Sequence, residues 1–356
     1  MALQKPKSLF KKFFSFRNFI FILTLALVVY VVYQNWPDIE KSFTYLQTTN
    51  IFVLLLLIPE QLYMYYSLGQ IFFSFFAKNP KVKALSKGKR LRISTELNFI
   101  NHAIPAGGVG GLTFLTYRFR PLGISAGQSS FLYIFRYAIT TVINYLQALI
   151  AILILFFLNL IPESATWIIW VSLLLNIGVF VMLSLIVFIA SSRKRLTFFS
   201  NCISKLVNNF VKFFTFKRKP QILKPEKLEH YLSDVHESLK IARSDKKSLK
   251  KPIFWGIIYS LFEIGTYYIV ALSLGRPELL PYIMVGEAIG SVFDGIVPYG
   301  LYELGMAGVM VALGIDIPTA TIIVVMTRVA TLLFTILTGL IPYRKTLMTL
   351  GEETDE

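Results

Sequence analysis

Long apolar stretches separated by short polar segments make up most of this chain. A helix needs about 20 predominantly apolar residues to cross the hydrocarbon core of a bilayer. Six stretches approach or exceed that length, at residues 18–33, 51–77, 125–158, 167–190, 252–274 and 317–342. The pattern therefore predicts an all-α polytopic membrane protein with about six spanning helices.

Two other apolar segments, at residues 93–121 and 277–314, are too broken to form one spanning helix each. The breaks are prolines and glycines, namely Pro105, Gly107, Gly108, Gly110 and Gly111 in the first segment and Pro298 and Gly300 in the second. Both residue types interrupt a helix, and a bilayer tolerates this only where protein or a water-filled cavity satisfies the freed backbone groups. We predict that each segment forms a re-entrant helical hairpin.

The two halves of the chain share landmarks in the same order. Pro105, the Leu-Gly-Ile motif at 122–124 and Arg136 are matched by Pro298, the same motif at 313–315 and Arg328, at offsets between 191 and 193 residues. This recurrence favours an internal duplication over chance. Paired segments interrupted by glycine and proline in the two halves of a transporter point to its binding site.

Charge predicts the orientation in the membrane. The net charge is +16, and basic residues are concentrated at 1–17, 78–92 and 191–251. The positive-inside rule explains these clusters as cytoplasmic segments, so they give no reason to infer a nucleic-acid partner. Both termini, including the acidic tail at 346–356, are then cytoplasmic, and we expect a multi-pass protein of the cell membrane.

This orientation makes the two halves inverted repeats. The first broken segment enters from the cytoplasm and the second from outside, within a first membrane repeat at 18–190 and a second at 252–345. Inverted repeats support alternating access around a site near the middle of the bilayer.

The segment that joins the repeats, at 191–251, carries sixteen Lys and Arg residues against five acidic residues. Its apolar residues recur at helical intervals among the lysines, which is typical of a basic amphipathic helix on the inner leaflet. Such clusters attract anionic lipid headgroups, so we expect anionic inner-leaflet lipids as partners. The segment has the character of a linker and not of an enzyme domain.

Ionisable residues inside apolar segments are the candidate functional residues, because each costs about 2.5–3.5 kcal/mol at the centre of a membrane helix. They are Arg136, Arg328, Glu60, Glu263, Glu287, Asp294 and Glu303. One interpretation is that they pair with each other and hold the bundle together. The other is that they line a polar cavity, where an arginine fork suits a lipid phosphate and the acids balance charge or contact a cationic headgroup.

Catalytic chemistry has little support in the sequence. The single Cys202 excludes an intramolecular disulfide, and His230 and His236 are six residues apart in the charged linker. The glycines at 107–111 lack the Gly-Lys-Ser/Thr ending of a phosphate-binding loop, so they either present helix N-termini to an anion or allow close helix packing. His102 is expected to be a packed polar residue. We expect no metal, no cofactor and no enzymatic activity.

The residues around the two breaks resemble a known family. Residues 104–125 (IPAGGVGGLTFLTYRFRPLGIS) with Arg136, and residues 297–305 (VPYGLYELG) with the second Leu-Gly-Ile motif and Arg328, are similar to the flippase-like membrane domain of lysylphosphatidylglycerol synthetase/flippase. Pro298, Gly300 and Glu303 fit its Pro-x-Gly-x-x-Glu motif, and Arg118 fits its basic position. Gly111 stands where that family often has an acid.

The resemblance implies translocation of a phospholipid, such as aminoacylated phosphatidylglycerol, between leaflets. Arg136 and Arg328 would contact the lipid phosphate, and Arg118 would also bind the substrate. Glu263, Glu287, Asp294 and Glu303 would form an acidic wall near the headgroup. A membrane-embedded enzyme of lipid-phosphate metabolism and a scaffold for such enzymes remain alternatives, and a homo-oligomer is left open.

Overall fold

The computed structural model describes residues 49–103, 109–214, 225–293 and 301–349, with a few isolated positions between 29 and 47. Its regular elements in these ranges are helices. Five of them are long and apolar enough to cross a membrane: Ile51–Phe75, Ala126–Phe157, Glu163–Ala190, Lys247–Ser273 and Ile317–Leu347. The prediction of an all-α polytopic membrane protein is thereby confirmed, and the predicted helix at 18–33 lies outside the described residues.

We number the described helices in chain order. They are α1 Ile51–Leu54, α2 Leu57–Phe75, α3 Pro80–Lys83, α4 Lys87–Ala103, α5 Val109–Phe119, α6 Ala126–Phe157, α7 Trp167–Ala190, α8 Arg193–Phe214, α9 Pro225–Ser244, α10 Lys246–Ser273, α11 Leu280–Gly290, α12 Leu301–Ala312 and α13 Ile317–Thr349.

The predicted bounds hold for α6 and α7, but α10 and α13 extend beyond them. Helix α10 begins at Lys246, where the Asp245 side chain accepts a hydrogen bond from the Ser248 N–H. Helix α13 continues through Pro342 to Thr349. The apolar pattern ends at the membrane surface, whereas a helix continues into water as long as its backbone hydrogen bonds are made, so hydropathy underestimates both lengths.

Each broken segment forms a pair of short helices that pack on each other, α4 with α5 and α11 with α12. The four helices have 17, 11, 11 and 12 residues, fewer than the about 20 residues of a typical membrane crossing. The connections at 104–108 and 294–300 lie outside the described residues. They contain Pro105, Gly107, Gly108, Asp294, Pro298 and Gly300.

The two Leu-Gly-Ile motifs have the same backbone structure. Gly123 and Gly314 have φ angles of 77° and 97°, in the left-handed region that glycine adopts without a steric penalty. The N–H of the following isoleucine donates to the carbonyl five residues earlier, from Ile124 to Phe119 at 3.3 Å and from Ile315 to Met310 at 3.1 Å. Both motifs therefore end a helix in the manner of a Schellman motif.

The residue after each motif begins a long helix. Ser125 Oγ accepts from the Gln128 N–H at 3.1 Å, and Asp316 Oδ2 accepts from the Thr319 N–H at 3.0 Å. Serine and aspartate are preferred at this position because their oxygens satisfy free N–H groups of the first helical turn. The matched sequence landmarks thus correspond to matched local structure.

The helix pairs of the two halves pack against the long helices of the opposite halves. Helix α4 contacts α13, helix α11 contacts α6, and α2 and α10 contact each other. Close approach depends on glycine: a Cβ at Gly339 of α13 would lie 2.2 Å from Phe99 Cβ of α4. Each of the two main hydrophobic cores therefore contains residues of both halves.

The segment at 191–251 contains two helices of different character. Helix α8 is amphipathic, with Phe198 and Leu206 exposed. Helix α9, in contrast, packs on α6, and its Val235, Leu239 and Ala242 join the same core as α2 and α4. The sequence prediction missed this docking because three apolar residues among many charges do not indicate which surface they contact.

Candidate functional site

Three helices bring the predicted charges Arg136, Glu263 and Glu287 into one polar cluster. Arg136 is on α6, Glu263 on α10 and Glu287 on α11. Arg136 Nη2 donates to the Tyr259 hydroxyl at 3.2 Å, and that hydroxyl donates to Glu263 Oε1 at 3.3 Å. The tyrosine thus links the guanidinium to the carboxylate.

Arg136 is almost completely buried, with 7% of its surface exposed. Its guanidinium lies over the rings of Tyr137 and Tyr259, at 4.5 Å and 5.3 Å from their centroids. The negative faces of the two rings stabilise the cation. Nε and Nη1 have no hydrogen-bond acceptor among the residues that the structure describes. Two donors of a buried cation are therefore available to an anion.

Asn144 joins the two acids across the interior. Its Nδ2 donates to Glu263 Oε2 at 3.3 Å and to Glu287 Oε1 at 3.2 Å. Sequence reasoning missed Asn144 because a single neutral amide in an apolar helix gives no distinguishing signal. Asn144 lies two turns after Arg136 on the same helix, and this spacing could have marked it as a member of the cluster.

Glu60 lies at the contact between α2 and α10, next to the Arg136 cluster. Thr266 Oγ1 donates to Glu60 Oε1 at 3.0 Å, and Gln61 Nε2 donates to Glu60 Oε2 at 3.1 Å. The charge of Glu263 also acts on Glu60. Glu60 is thus held by neutral donors at the edge of the same cluster.

Arg328 has a different environment from Arg136, although the two occupy corresponding positions after the Leu-Gly-Ile motifs. Its Nε lies 3.1 Å from Glu303 Oε1, the glutamate of the Pro-x-Gly-x-x-Glu motif. Next to this ion pair the hydroxyls of Tyr267 and Tyr302 are 2.9 Å apart, and the charges of both Arg328 and Glu303 act on Tyr267. The first interpretation of the interior charges, mutual pairing, describes Arg328 well.

Both arginines lie near the first broken segment, since the charges of Arg136 and Arg328 both act on His102 at the end of α4. His102 Nδ1 is 2.9 Å from the Asn98 carbonyl. Gly111 on α5 faces α4, and a Cβ there would lie 1.9 Å from Asn101 Oδ1. The glycine at position 111 therefore allows close packing of α5 on α4. Gly110 lies in the same helical turn.

Arg118 belongs to a second polar cluster, around Glu96. The side chain of Glu96 is completely buried, and its carboxylate is 2.8 Å from Arg92 Nε and 3.3 Å from Arg118 Nε. Thr346 of α13 donates to the same carboxylate at 2.7 Å. The cluster fixes both helices of the first pair to α13.

Sequence reasoning did not select Glu96, because it lies in a polar part of α4 beside a basic run. Its separation of four residues from Arg92 is the usual spacing of a helical ion pair and was the available signal. The predicted contact of Arg118 with substrate remains a prediction, and Asp294 cannot be placed because it lies outside the described residues.

In the described ranges, no group of three or more His, Cys, Asp or Glu side chains could hold a metal ion. The interior polar groups are instead carboxylates, guanidinium groups, amides and phenols. Such a set can bind charged groups by hydrogen bonds and exchange partners when helices move.

Comparison with protein families gives a match over most of the chain. Residues 18–339 match the family described as the lysylphosphatidylglycerol synthase TM region. Comparisons with curated proteins and with solved structures gave no significant match. The matched range contains all the helices of both polar clusters except the last turns of α13, so the chain belongs to the family of the lysylphosphatidylglycerol synthase transmembrane region.

Proposed function

We propose that this protein moves a phospholipid between membrane leaflets by alternating access, with the lipid phosphate bound at Arg136. The observation that carries the proposal is the buried guanidinium of Arg136, whose Nε and Nη1 lack acceptors among the described residues. An unsatisfied buried donor costs about 1–3 kcal/mol, and more when it is charged. A ligand with two acceptor oxygens would recover that cost.

Phosphate is the headgroup chemistry that fits this fork. Each of the two available donors, Nε and Nη1, can make a charge-assisted hydrogen bond to a phosphate oxygen. Tyr137 and Tyr259 contact the guanidinium and Tyr259 accepts from Nη2, which leaves Nε and Nη1 for the ligand. Glu263 and Glu287 would then contact the cationic or hydroxylated part of the headgroup, as in aminoacylated phosphatidylglycerol.

Alternating access is supported by the interleaved packing of the two halves. Each short helix pair contacts the long helix of the opposite half, and the two Leu-Gly-Ile motifs have matching structure. Exchange of these contacts between two arrangements would open the Arg136 cluster first to one leaflet and then to the other. In this proposal the halves are inverted repeats and the short pairs are re-entrant hairpins.

Helix α8 is proposed to contact the anionic inner leaflet. It begins at Arg193, three residues after the last residue of α7, so it starts at the level where a spanning helix ends. Phe198 and Leu206 are exposed by 71% and 72%, beside Lys194 and Lys205. Exposed apolar residues flanked by lysines are typical of helices that bind in the headgroup region.

A leaflet-exposure assay tests the proposed transport. Purified protein is reconstituted into liposomes that contain a fluorescent phosphatidylglycerol or its lysyl derivative, and a membrane-impermeant quencher reports the outer-leaflet fraction. We expect the protein to accelerate exchange between leaflets over protein-free liposomes. Unchanged exchange with folded protein would contradict the proposal.

Lipid analysis of a deletion strain separates transport from the enzyme alternative. A lost lipid species indicates synthesis, whereas an unchanged lipid pool with altered surface exposure indicates transport. If the protein is a scaffold, it will not accelerate lipid exchange in liposomes, and variants in the Arg136 cluster will keep their activity.

The inverted orientation makes a separate prediction about the two matched motifs. Arg120→Cys and Asp316→Cys place a thiol at exposed positions beside Gly123 and Gly314, in a background that carries Cys202→Ala. We expect an impermeant maleimide to label intact cells at position 316 and to label position 120 only after the membrane is opened. Labelling of both positions from one side would rule out inverted repeats.

A further inference from the structure

We propose that the contact between α6, α7 and α11 contains a binding site for Na⁺, formed by amide oxygens of Asn144, Gln147 and Asn176 with the carboxylate of Glu287. This inference goes beyond lipid binding at Arg136, because it concerns acceptor groups on the other side of Asn144. It can hold or fail independently of the lipid substrate.

Helix α7 shows where the site lies. The helix is apolar on all sides, and its buried residues Ile168, Ser172 and Asn176 form one stripe at intervals of four. The two polar residues of the stripe thus face the bundle and not the lipid. Polar residues placed this way mark interhelical contacts or ion pathways in membrane proteins.

Neighbouring apolar side chains place the polar residues of the three helices at one level. Tyr145 and Ala148 of α6, Ala288 of α11, and Leu175 and Val179 of α7 form one cluster. These residues flank Asn144 and Gln147 on α6, adjoin Glu287 on α11, and lie on either side of Asn176 on α7. The four polar residues therefore lie at one contact of three helices, and Asn144 and Glu287 are joined there by a hydrogen bond of 3.2 Å.

The oxygens of these amides lack donors. Asn144 Oδ1, Gln147 Oε1 and Asn176 Oδ1 have no hydrogen-bond partner in the part of the chain that the structure describes, although each residue is exposed by 8% or less. The orientation of two amides is fixed by chemistry. Asn144 Nδ2 must face two carboxylates, and Asn176 Nδ2 donates to the Ser172 carbonyl at 2.9 Å. Hydrogen bonds between the described helices therefore do not satisfy these three amide oxygens.

A cation satisfies such a set better than a neutral donor. Carbonyl and carboxylate oxygens are the ligands that hard cations prefer, and Na⁺ sites of transporters use carbonyl oxygens near the middle of the bilayer. The interior charges also favour a cation, because the carboxylates of Glu60, Glu263, Glu287 and Glu303 outnumber the guanidinium groups of Arg136 and Arg328 in the described membrane helices.

Thermal unfolding of the purified full chain in detergent tests the site, with NaCl, KCl and choline chloride compared at constant ionic strength. A ligand that binds only the folded state raises the melting temperature. We expect Na⁺ to raise it by a few degrees over choline, and ²²Na⁺ binding to saturate. An equal melting temperature in Na⁺ and choline would overturn the proposal.

Two variants of Gln147 should change the effect of Na⁺ on the melting temperature in opposite directions. Gln147→Met removes the oxygen with little change in volume and should abolish the Na⁺ response, whereas Gln147→Glu adds charge and should retain or strengthen it. Gln70→Met is the matched control, since Gln70 is a buried membrane glutamine that accepts from Arg90 on α4. It should leave the response intact.

Three results would count against the site. They are a full Na⁺ response in Gln147→Met, a loss of the response in the Gln70→Met control alone, and a melting temperature that responds to pH but not to Na⁺. Lipid exchange that proceeds in liposomes without Na⁺, combined with no Na⁺ stabilisation, would remove the cation site and leave the proposed lipid transport standing.

Discussion

Arg136→Gln is expected to reduce lipid exchange between leaflets by at least about 100-fold, since hydrogen bonds to charged groups contribute about 1.5–3 kcal/mol each and Nε and Nη1 would supply one each. Glutamine retains a hydrogen-bond donor for Tyr259 but has neither the charge nor the fork. Arg136→Lys should show an intermediate rate, because it keeps the charge and loses the bidentate geometry. The leaflet-exposure assay in liposomes measures all three proteins.

Folding of the Arg136 variants must be shown separately, by a monodisperse profile in detergent and by thermal unfolding. Arg276→Gln is the matched control, because Arg276 pairs with Glu278 in an exposed connection after α10. It should transport like the unchanged protein. A folded Arg136→Gln protein with an undiminished exchange rate would show that Arg136 serves packing alone, and the proposed phosphate site would be lost.

Glu96→Ala is expected to have the largest effect on stability. It leaves Arg92 and Arg118 without their shared carboxylate and removes the acceptor of Thr346. Breaking a buried ion pair costs about 3–5 kcal/mol, and the partial exposure of both arginines places the expected loss near the lower end of that range. Thermal unfolding in detergent should show a clear fall in melting temperature.

Glu237→Ala is the control for Glu96, since Glu237 also pairs with an arginine, Arg193, but both side chains are exposed. Solvent-exposed pairs contribute little, so its melting temperature should not change measurably. Glu96→Gln should fall between the two, because the amide still accepts from Thr346. An unchanged melting temperature for Glu96→Ala would mean that the cluster does not fix the first helix pair to α13.

Features that depend on short stretches of the chain could be predicted from the sequence. The ends of α6 and α7, the broken segments and the shared Leu-Gly-Ile motif could all be predicted, because hydropathy over 20 residues and the backbone preference of glycine are properties of short stretches. The interior charges could be selected for the same reason. Their partners could not, because Arg136 and Tyr259 are separated by 123 residues along the chain.

Sequence patterns alone establish a polytopic helical membrane protein with a Leu-Gly-Ile motif in each half and a few costly interior charges. Only the packed bundle shows that Arg328 pairs with Glu303, that Arg136 Nε and Nη1 have no acceptor among the described residues, and that Glu96 joins three helices. The physical reason is that an apolar residue must be buried, but many different neighbours can bury it. Hydrogen bonds and ion pairs between distant helices depend on the relative register and rotation of those helices, which only the packed bundle sets.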